Sequence, residues 1–244
     1  MSTYVQYQDN LLQALNRVRE KQNTLINNYY ADFAKHSGKI NSMHINRVWH
    51  SIPEQLAKTQ DNNTARYKFK GVIPGASRYT ELVGPIDWLK SAGLIIKVPL
   101  CHSGELPLSA YTKENIFKLN CFDVGILGAL SHLPPAVIME YDYGTYKGYF
   151  AENFVAQEFL AQNIELYSWS EGTAEVEFLR MMDTHVIPIE VKSGWITKAK
   201  SIRVIQEKYA SPYRVIMSAK NLTIDKVNKV HHYPLYLCGM FSLD

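Results

Sequence analysis

Two short stretches decide the fold, AEVEFLR (residues 174–180) and IPIEVKSG (residues 187–194). Each alternates apolar and charged residues, and a period of two predicts a β-strand because successive side chains point to opposite faces. The few residues between them are short enough for a hairpin. The pair is predicted to turn five apolar side chains towards a core: Val176, Phe178, Ile187, Ile189 and Val191. The other surface would gather three carboxylates and one ammonium: Glu175, Glu177, Glu190 and Lys192.

The elements around this hairpin predict the fold class. A helical pattern precedes it in YFAENFVAQEFLAQN, and a helix and a strand follow in TKAKSIRVIQEKYA and YRVIMSA. The order helix, three strands, helix, strand is typical of an α/β (α+β) fold, a mixed sheet flanked by helices. We predict that this domain spans residues 111–244 and that a helical region precedes it at residues 1–110.

The helical region has two interpretations. IDWLKSAGLIIKVPLC predicts a helix that ends at Gly93, a residue suited to the left-handed C-terminal position, and an apolar strand directly after it. Helices followed by such a unit are typical of a winged-helix domain, which often docks on DNA. The same unit also serves as a spacer between proteins, and the sequence favours the spacer because no run of Arg or Asn marks a recognition helix.

The charged surface of the hairpin also has two interpretations. One is a solvated sheet face with cross-strand Glu–Lys pairs that stabilise it by about 0.2–1 kcal/mol each, and the residues alone favour this one. The other is a site for a hard divalent cation such as Mg²⁺, which binds carboxylate oxygens, water and substrate phosphate. Lys192 would then orient or deprotonate the attacking water. A metal site calls for a further carboxylate on the preceding helix, and both Glu152 and Glu158 are candidates.

Composition excludes several classes of protein. Hydrophobic residues make up 46% of the 244 residues and charged residues 20%, which is typical of a globular protein. No apolar run reaches the roughly 20 residues of a membrane-spanning helix, and the first residues lack the pattern of a secretion signal. Three widely spaced cysteines fit a reducing compartment, so we expect a cytoplasmic protein without membrane partners. No phosphate-binding loop is present, so no nucleotide site is expected.

Basic residues concentrate near the C-terminus. Between Lys192 and His232 nine lysines and arginines face only two acids, a net charge of +7, whereas the whole chain carries +3. A clustered positive surface attracts phosphate backbones. We predict that Lys198, Lys200 and Arg203 contact nucleic acid, although a solvated basic helix accounts for the charge equally well.

The acids and the lysine of the hairpin resemble the E…(D/E)…ExK pattern of the PD-(D/E)XK nuclease superfamily. A longer resemblance covers nearly the whole chain. Its motifs are YADFAKH, SIPEQLAK, RYKFKGV, IDWLKSAGLIIKV, FKLNCFDVGILGAL, YKGYFAENFVAQEFL, AEVEFLR, IPIEVKSG and PLYL. Together they are similar to the C-terminal region of a group of bacterial and archaeal AAA-type ATP-binding proteins. In that group a winged-helix segment and a domain related to PD-(D/E)XK nucleases follow the ATPase domain.

This resemblance implies a role for each acid. Glu177 and Glu190 would bind Mg²⁺ or Mn²⁺, with Glu158 as a further metal candidate. Lys192 and Glu152 would be catalytic, and DNA would be the substrate. The family usually has EVDF where this chain has EVEF, so Glu177 replaces an aspartate with a carboxylate that reaches one methylene further. The ATPase portion is missing, so we expect a shortened form of the larger unit that works with an AAA-type ATPase domain or chain.

Three functions therefore remain open. The first is metal-dependent hydrolysis of phosphodiesters. The second is a catalytically inactive nuclease fold that serves an ATPase as a nucleic-acid-binding, protein-binding or regulatory module. The third is an interaction scaffold whose 16 tyrosines dock a protein partner.

Overall fold

A computed structural model describes residues 6, 10–58, 66–140, 143–144, 146–195 and 200–240. The helices in these ranges are α1 (Leu11–Ser37), α2 (Lys39–Lys58), α3 (Tyr79–Ser91), α4 (Val124–Leu130), α5 (Pro135–Met139), α6 (Tyr146–Ala161) and α7 (Ser201–Lys208). The strands are β1 (Ile95–Cys101), β2 (Thr112–Cys121), β3 (Tyr167–Glu171), β4 (Ala174–Met182), β5 (His185–Val191), β6 (Arg214–Ser218), β7 (Thr223–Asp225) and β8 (Val230–Pro234). Short 3-10 helices occupy Leu108–Tyr111 and Leu235–Met240.

The chain divides into two compact units that interleave along the sequence. The first comprises the described residues of Met1–Lys58, Lys68–Ile95 and Cys121–Tyr146, and the second those of Thr59–Tyr67, Ile96–Asn120 and Lys147–Asp244. The domains predicted from sequence, 1–110 and 111–244, are consecutive instead. That domain assignment stays a prediction.

The first unit is helical. The side chain of Asn10 caps α1 by accepting a hydrogen bond from the Gln13 backbone N–H, and Gly38, with φ of 78°, separates α1 from α2. Aromatic edges fill the space between these helices, with the ring centroids of Phe33 and Trp49 5.7 Å apart. Helix α2 continues through Pro53. None of the helices in the described ranges combines the length and apolar character needed to cross a membrane.

The junction predicted at Gly93 is confirmed. Helix α3 ends at Ser91, Gly93 adopts φ of 71°, and β1 begins two residues later. A side chain at positive φ is strained, which is why glycine suits this position. The winged-helix interpretation of this region stays a prediction.

An eight-stranded mixed sheet forms the second unit, in the order β2-β1-β3-β4-β5-β6-β8-β7. The predicted hairpin is confirmed, because β4 and β5 pair antiparallel with Phe178 opposite Ile189 and Met182 opposite His185. Strand β6 then pairs parallel to β5 after the crossover through α7. The α/β class with a mixed sheet is therefore confirmed, while its assignment to the PD-(D/E)XK fold stays a prediction.

Helices cover both faces of this sheet. Val155 and Phe159 of α6 pack in one hydrophobic cluster with Phe178, Ile189 and the rest of the predicted apolar side of β5. Ile202 of α7 packs in a second cluster with Val176 and Leu179. Because Phe178 and Leu179 are consecutive in β4, the two clusters lie on opposite faces of the sheet.

One prediction about β4 is wrong. Val176 and Phe178 were expected on the same face, yet they belong to different clusters. Against β3, Trp169 pairs with Val176 but Tyr167 pairs with Leu179, so β4 contains one extra residue in this interval. Such a β-bulge breaks the alternation of faces and re-aims the side chains beside it. Glu177 lies in the bulge.

Substitution of Gly104 tests the packing of the second unit. A Cβ at this position would come within 2.6 Å of the Tyr209 ring, which packs edge-on against buried Trp169. We expect Gly104→Ala to lower the free energy of unfolding by about 1–3 kcal/mol, as overpacking does, measured by urea denaturation. In a Tyr209→Ala background the same substitution should leave the free energy of unfolding almost unchanged. An equal decrease of that free energy in both backgrounds would contradict this packing.

Candidate functional site

Four of the predicted site residues lie together in the second unit. Glu177 in β4 is one residue beyond the Phe178–Ile189 pair, so it neighbours Glu190 across the hairpin. Lys192 directly follows β5, where its backbone N–H donates to the Met217 carbonyl of β6 at 2.8 Å. Glu152, in the second turn of α6, interacts electrostatically with Glu190 and Lys192. The strand pairing and α6 thus bring acids from three elements to one place.

Lys118 belongs to the same cluster, although it was not among the site residues predicted from the sequence. It lies in β2, is only 6% exposed, and its Nζ is 2.9 Å from the Glu175 Oε1. A signal was present in the sequence, because Lys118 stands between Phe117 and Leu119 in an apolar strand. A buried ammonium is costly unless a charge or hydrogen bond offsets it. A lysine in that setting therefore predicts a nearby carboxylate.

We call these six residues the carboxylate–lysine cluster: Lys118, Glu152, Glu175, Glu177, Glu190 and Lys192. A second ion pair joins the Nζ of Lys192 to the Oε1 of Glu190 at 2.5 Å. Glu190 is 5% exposed. The interpretation as a solvated sheet face is therefore wrong for Glu190, because its side chain is buried.

Burial is the largest cause of the raised pKa of two acids in this cluster, Glu177 and Glu152. It raises the pKa of Glu177 well above its usual value, and the carboxylates of Glu190 and Glu152 raise it further against the opposing lysines. Burial also raises the pKa of Glu152, which Glu175 and Glu190 increase and Lys118 lowers. Desolvation disfavours a charged carboxylate, and a like charge nearby adds to that cost. Both groups therefore bind a proton more tightly than an exposed glutamate does.

The pKa values of the two lysines are also raised, but here nearby carboxylates are the cause and burial opposes them. Burial alone would lower the pKa of Lys118, but the carboxylates of Glu175, Glu152 and Glu177 outweigh it and raise that pKa. Burial likewise opposes the charge on Lys192, while Glu177 and Glu190 outweigh it and raise its pKa. Both side chains are therefore ammonium ions at neutral pH, suited to donating hydrogen bonds rather than accepting protons.

Two carboxylate oxygens of the cluster remain without a hydrogen bond. The Oε2 atoms of Glu177 and Glu190 are buried and have no hydrogen-bond partner among the described residues. A buried acceptor without a partner is costly, and carboxylate oxygens are the ligands that Mg²⁺ and Mn²⁺ prefer. The pair fits a cation that takes one or two protein carboxylates and several waters. Within the described ranges, however, no group of three His, Cys, Asp or Glu side chains is arranged to hold a metal ion.

Glu158, the rival helix acid, lies elsewhere. A methyl group on Gly239 would come within 3.2 Å of its Oε2, so its carboxylate packs beside the C-terminal 3-10 helix. It also acts on the thiol of Cys238, whose pKa burial raises to about 12. Glu152, not Glu158, therefore joins the cluster, and the metal role of Glu158 stays a prediction without support from its position.

The three predicted nucleic-acid contacts have different positions. Lys198 lies outside the described residues. Lys200 is exposed at the start of α7, and Arg203 is exposed in its first turn, where its Nη2 is 3.1 Å from the Glu207 Oε1. Two of the three thus present their charges to solvent, as a phosphate contact requires.

Two families match the chain by sequence. The domain of unknown function DUF8612 matches residues 6–136, and the domain of unknown function DUF4143 matches residues 147–236. The second is often found with AAA-type ATPases. The carboxylate–lysine cluster falls across both matches, because Lys118 lies in the first and the other five residues lie in the second. Comparison with curated proteins and with solved structures gave no match.

The raised pKa of Glu177 predicts a pH-dependent gain in stability for Glu177→Gln. A carboxyl whose pKa is higher in the folded state loses stability as pH rises from its unfolded pKa towards its folded one. The glutamine variant escapes that loss, so its free energy of unfolding should equal the wild-type value near about pH 4 and exceed it near about pH 8. Denaturation midpoints across this range measure the difference.

Glu175→Gln is the matched control, because it removes a carboxylate that pairs with buried Lys118. This variant should lower the stability near neutral pH, since it leaves a buried ammonium without its nearest counter-charge. A pH-independent effect of Glu177→Gln would show that its carboxyl titrates normally.

Proposed function

The chain belongs to the family of the domain of unknown function DUF8612, and from its carboxylate–lysine cluster we propose that it hydrolyses phosphodiester bonds of nucleic acid with a divalent metal ion. The proposal includes a PD-(D/E)XK nuclease-like fold for the second unit and a winged-helix-like role for the helices before it. The resemblance of the hairpin acids to that superfamily supports it.

A single observation carries the proposal. Glu177 and Glu190 are cross-strand neighbours that each keep a buried oxygen without a hydrogen-bond partner among the described residues. Like charges placed directly opposite destabilise a sheet. An arrangement of this kind is retained more easily if a cation is bound between the two acids.

Glu177 and Glu190 would hold Mg²⁺ or Mn²⁺. A bound divalent cation supplies charge stabilisation for the phosphate and a lower pKa for water. The longer side chain of Glu177, in place of the usual aspartate, suits a carboxylate that a β-bulge has re-aimed. The bulge thus offers a reason why EVEF can replace EVDF.

The other charged groups would divide the remaining work. Lys192, held as an ammonium by the acids around it, would orient the attacking water and donate a hydrogen bond to the phosphate. Glu152 would accept the proton of that water, because its raised pKa makes it a better base than an exposed glutamate. Lys118 would balance the negative charge of the acids, and Lys200 and Arg203 would contact the nucleic-acid backbone.

A second candidate function is a catalytically inactive module that binds nucleic acid or protein for an AAA-type ATPase. Both lysines of the cluster are already engaged, Lys118 by Glu175 and Lys192 by Glu190. Among the described residues no three His, Cys, Asp or Glu side chains are arranged so that they could hold a metal ion. The two lysines offset part of the negative charge of the four glutamates and so reduce the need for a cation, and this favours binding without chemistry.

Metal binding separates the two candidates. We expect Mg²⁺ or Mn²⁺ to bind the wild type in calorimetry, and Glu190→Gln to weaken binding at least about tenfold, since it removes a charged ligand. Glu158→Gln is the control, because it removes the same charge from a helix acid outside the cluster and should leave affinity unchanged. Absence of metal binding by the wild type would favour the inactive module.

Cleavage assays test the chemistry directly. Single-stranded, duplex and branched DNA should be cut in the presence of metal, and Lys192→Met should reduce the rate by about 10²–10⁴-fold with metal affinity retained. If no substrate is cut but DNA is retained at low salt, the second candidate stands. If DNA is not retained either, a protein partner becomes the better hypothesis.

A further inference from the structure

A cavity of about 490 Å³ lies in the second unit, away from the carboxylate–lysine cluster. The end of α7, the turn before β6 and the turn between β7 and β8 form its walls. Arg214, which lines it, begins β6, whereas Met217 of the same strand pairs with Val191 beside the cluster. Three residues of a strand span roughly 10 Å. The cavity and the cluster therefore lie towards opposite ends of β6.

The charges that line this cavity are mainly positive. Three cations line it, Arg203, Arg214 and Lys229, against the single carboxylate of Glu207. Glu207 is engaged by Arg203 at 3.1 Å. Within the described ranges no carboxylate forms an ion pair with Arg214 or Lys229. Two cationic charges thus face the cavity without a paired anion.

The guanidinium of Arg214 is held in place by neutral acceptors. Its Nη1 donates to the Gln206 Oε1 and to the Asn228 carbonyl, the latter at 3.1 Å. Gln206 is buried and in turn donates from its Nε2 to the Lys229 carbonyl at 3.2 Å. This network fixes the guanidinium without cancelling its charge. A fixed guanidinium binds an anion at a low entropic cost, because little side-chain freedom remains to be lost.

We propose that this cavity binds a phosphate-bearing ligand. A planar guanidinium offers paired N–H donors that match phosphate oxygens, and Lys229 adds a second positive charge at the wall. The volume falls within the range of roughly 300–1,000 Å³ that small-molecule sites occupy. The burial and the nearby Arg203 that lower the pKa of Arg214 are both costs that a bound anion offsets. The inference does not depend on metal binding or catalysis at the carboxylate–lysine cluster.

The phosphate can come from a free small molecule or from a nucleic-acid backbone, and the two are separated by the choice of probe. Calorimetric titrations use inorganic phosphate, a nucleoside 5′-monophosphate and a single-stranded oligonucleotide that lacks terminal phosphates. The unphosphorylated nucleoside is the negative control. We expect both phosphate and the monophosphate to bind, the monophosphate more tightly. Binding of the oligonucleotide alone supports the phosphate site but assigns the backbone as its source.

Two substitutions with opposite expected effects locate the binding. Lys229→Asn removes a cavity charge at a residue with φ of 53°, a conformation that asparagine tolerates, and should weaken phosphate binding roughly tenfold. Glu207→Gln removes the lining carboxylate and should tighten it. A general loss of folding cannot produce effects of opposite sign.

Lys226→Gln is the matched control, because Lys226 lies in the same turn as Lys229 but does not line the cavity. The affinity of the Lys226→Gln variant for phosphate should equal that of the wild type. The proposal is overturned if no phosphate-bearing probe binds the wild type, or if Lys226→Gln weakens binding as much as Lys229→Asn does. It is also overturned if the nucleoside binds as tightly as its monophosphate.

Discussion

The antiparallel pairing of β4 and β5 is the constraint on which the second unit depends. These strands occupy the centre of the eight-stranded sheet, with β3, β1 and β2 added on one side and β6, β8 and β7 on the other. Their register places Phe178 opposite Ile189 and thereby makes neighbours of Glu177 and Glu190. Because a shift of one residue would exchange the faces of every side chain, the same pairing fixes both the core and the acidic site.

The packing of the apolar faces of this hairpin sets the environment of its charged residues. Helix α6 packs against one face of the hairpin and α7 against the other, so the apolar side chains of β4 and β5 in these clusters are buried. Exclusion of water strengthens each electrostatic interaction and raises the cost of each unpaired charge. Both effects act on the carboxylate–lysine cluster, where two lysines form ion pairs and two buried carboxylate oxygens have no hydrogen-bond partner in the described part of the chain.

The positively charged side chains of the second unit lie in two different environments. Lys118 and Lys192 lie among acids that outweigh their desolvation, so their charge is locally neutralised. Arg214 is instead held by a side-chain amide and a backbone carbonyl at the cavity wall, and among the described residues it forms no ion pair. The first arrangement suits the organisation of a reacting phosphate, and the second suits the binding of a separate anion. The net charge of the chain does not distinguish these two environments.

Local sequence patterns were sufficient to predict the hairpin, the helix before it, the helix and strand after it, and the junction at Gly93. They also predicted that three acids, Glu175, Glu177 and Glu190, gather with Lys192. These features follow from local periodicity and from glycine conformation, which neighbouring residues specify. Three further features became visible in the folded chain: Lys118 joins the cluster, Glu152 rather than Glu158 does so, and Val176 and Phe178 face opposite sides. Each of these depends on contacts between residues far apart in the chain or on one extra residue in β4 against β3. The alternation of apolar and charged residues in one strand does not specify the register of that strand against its partner. Burial of a charged side chain depends on which residues from other elements pack against it.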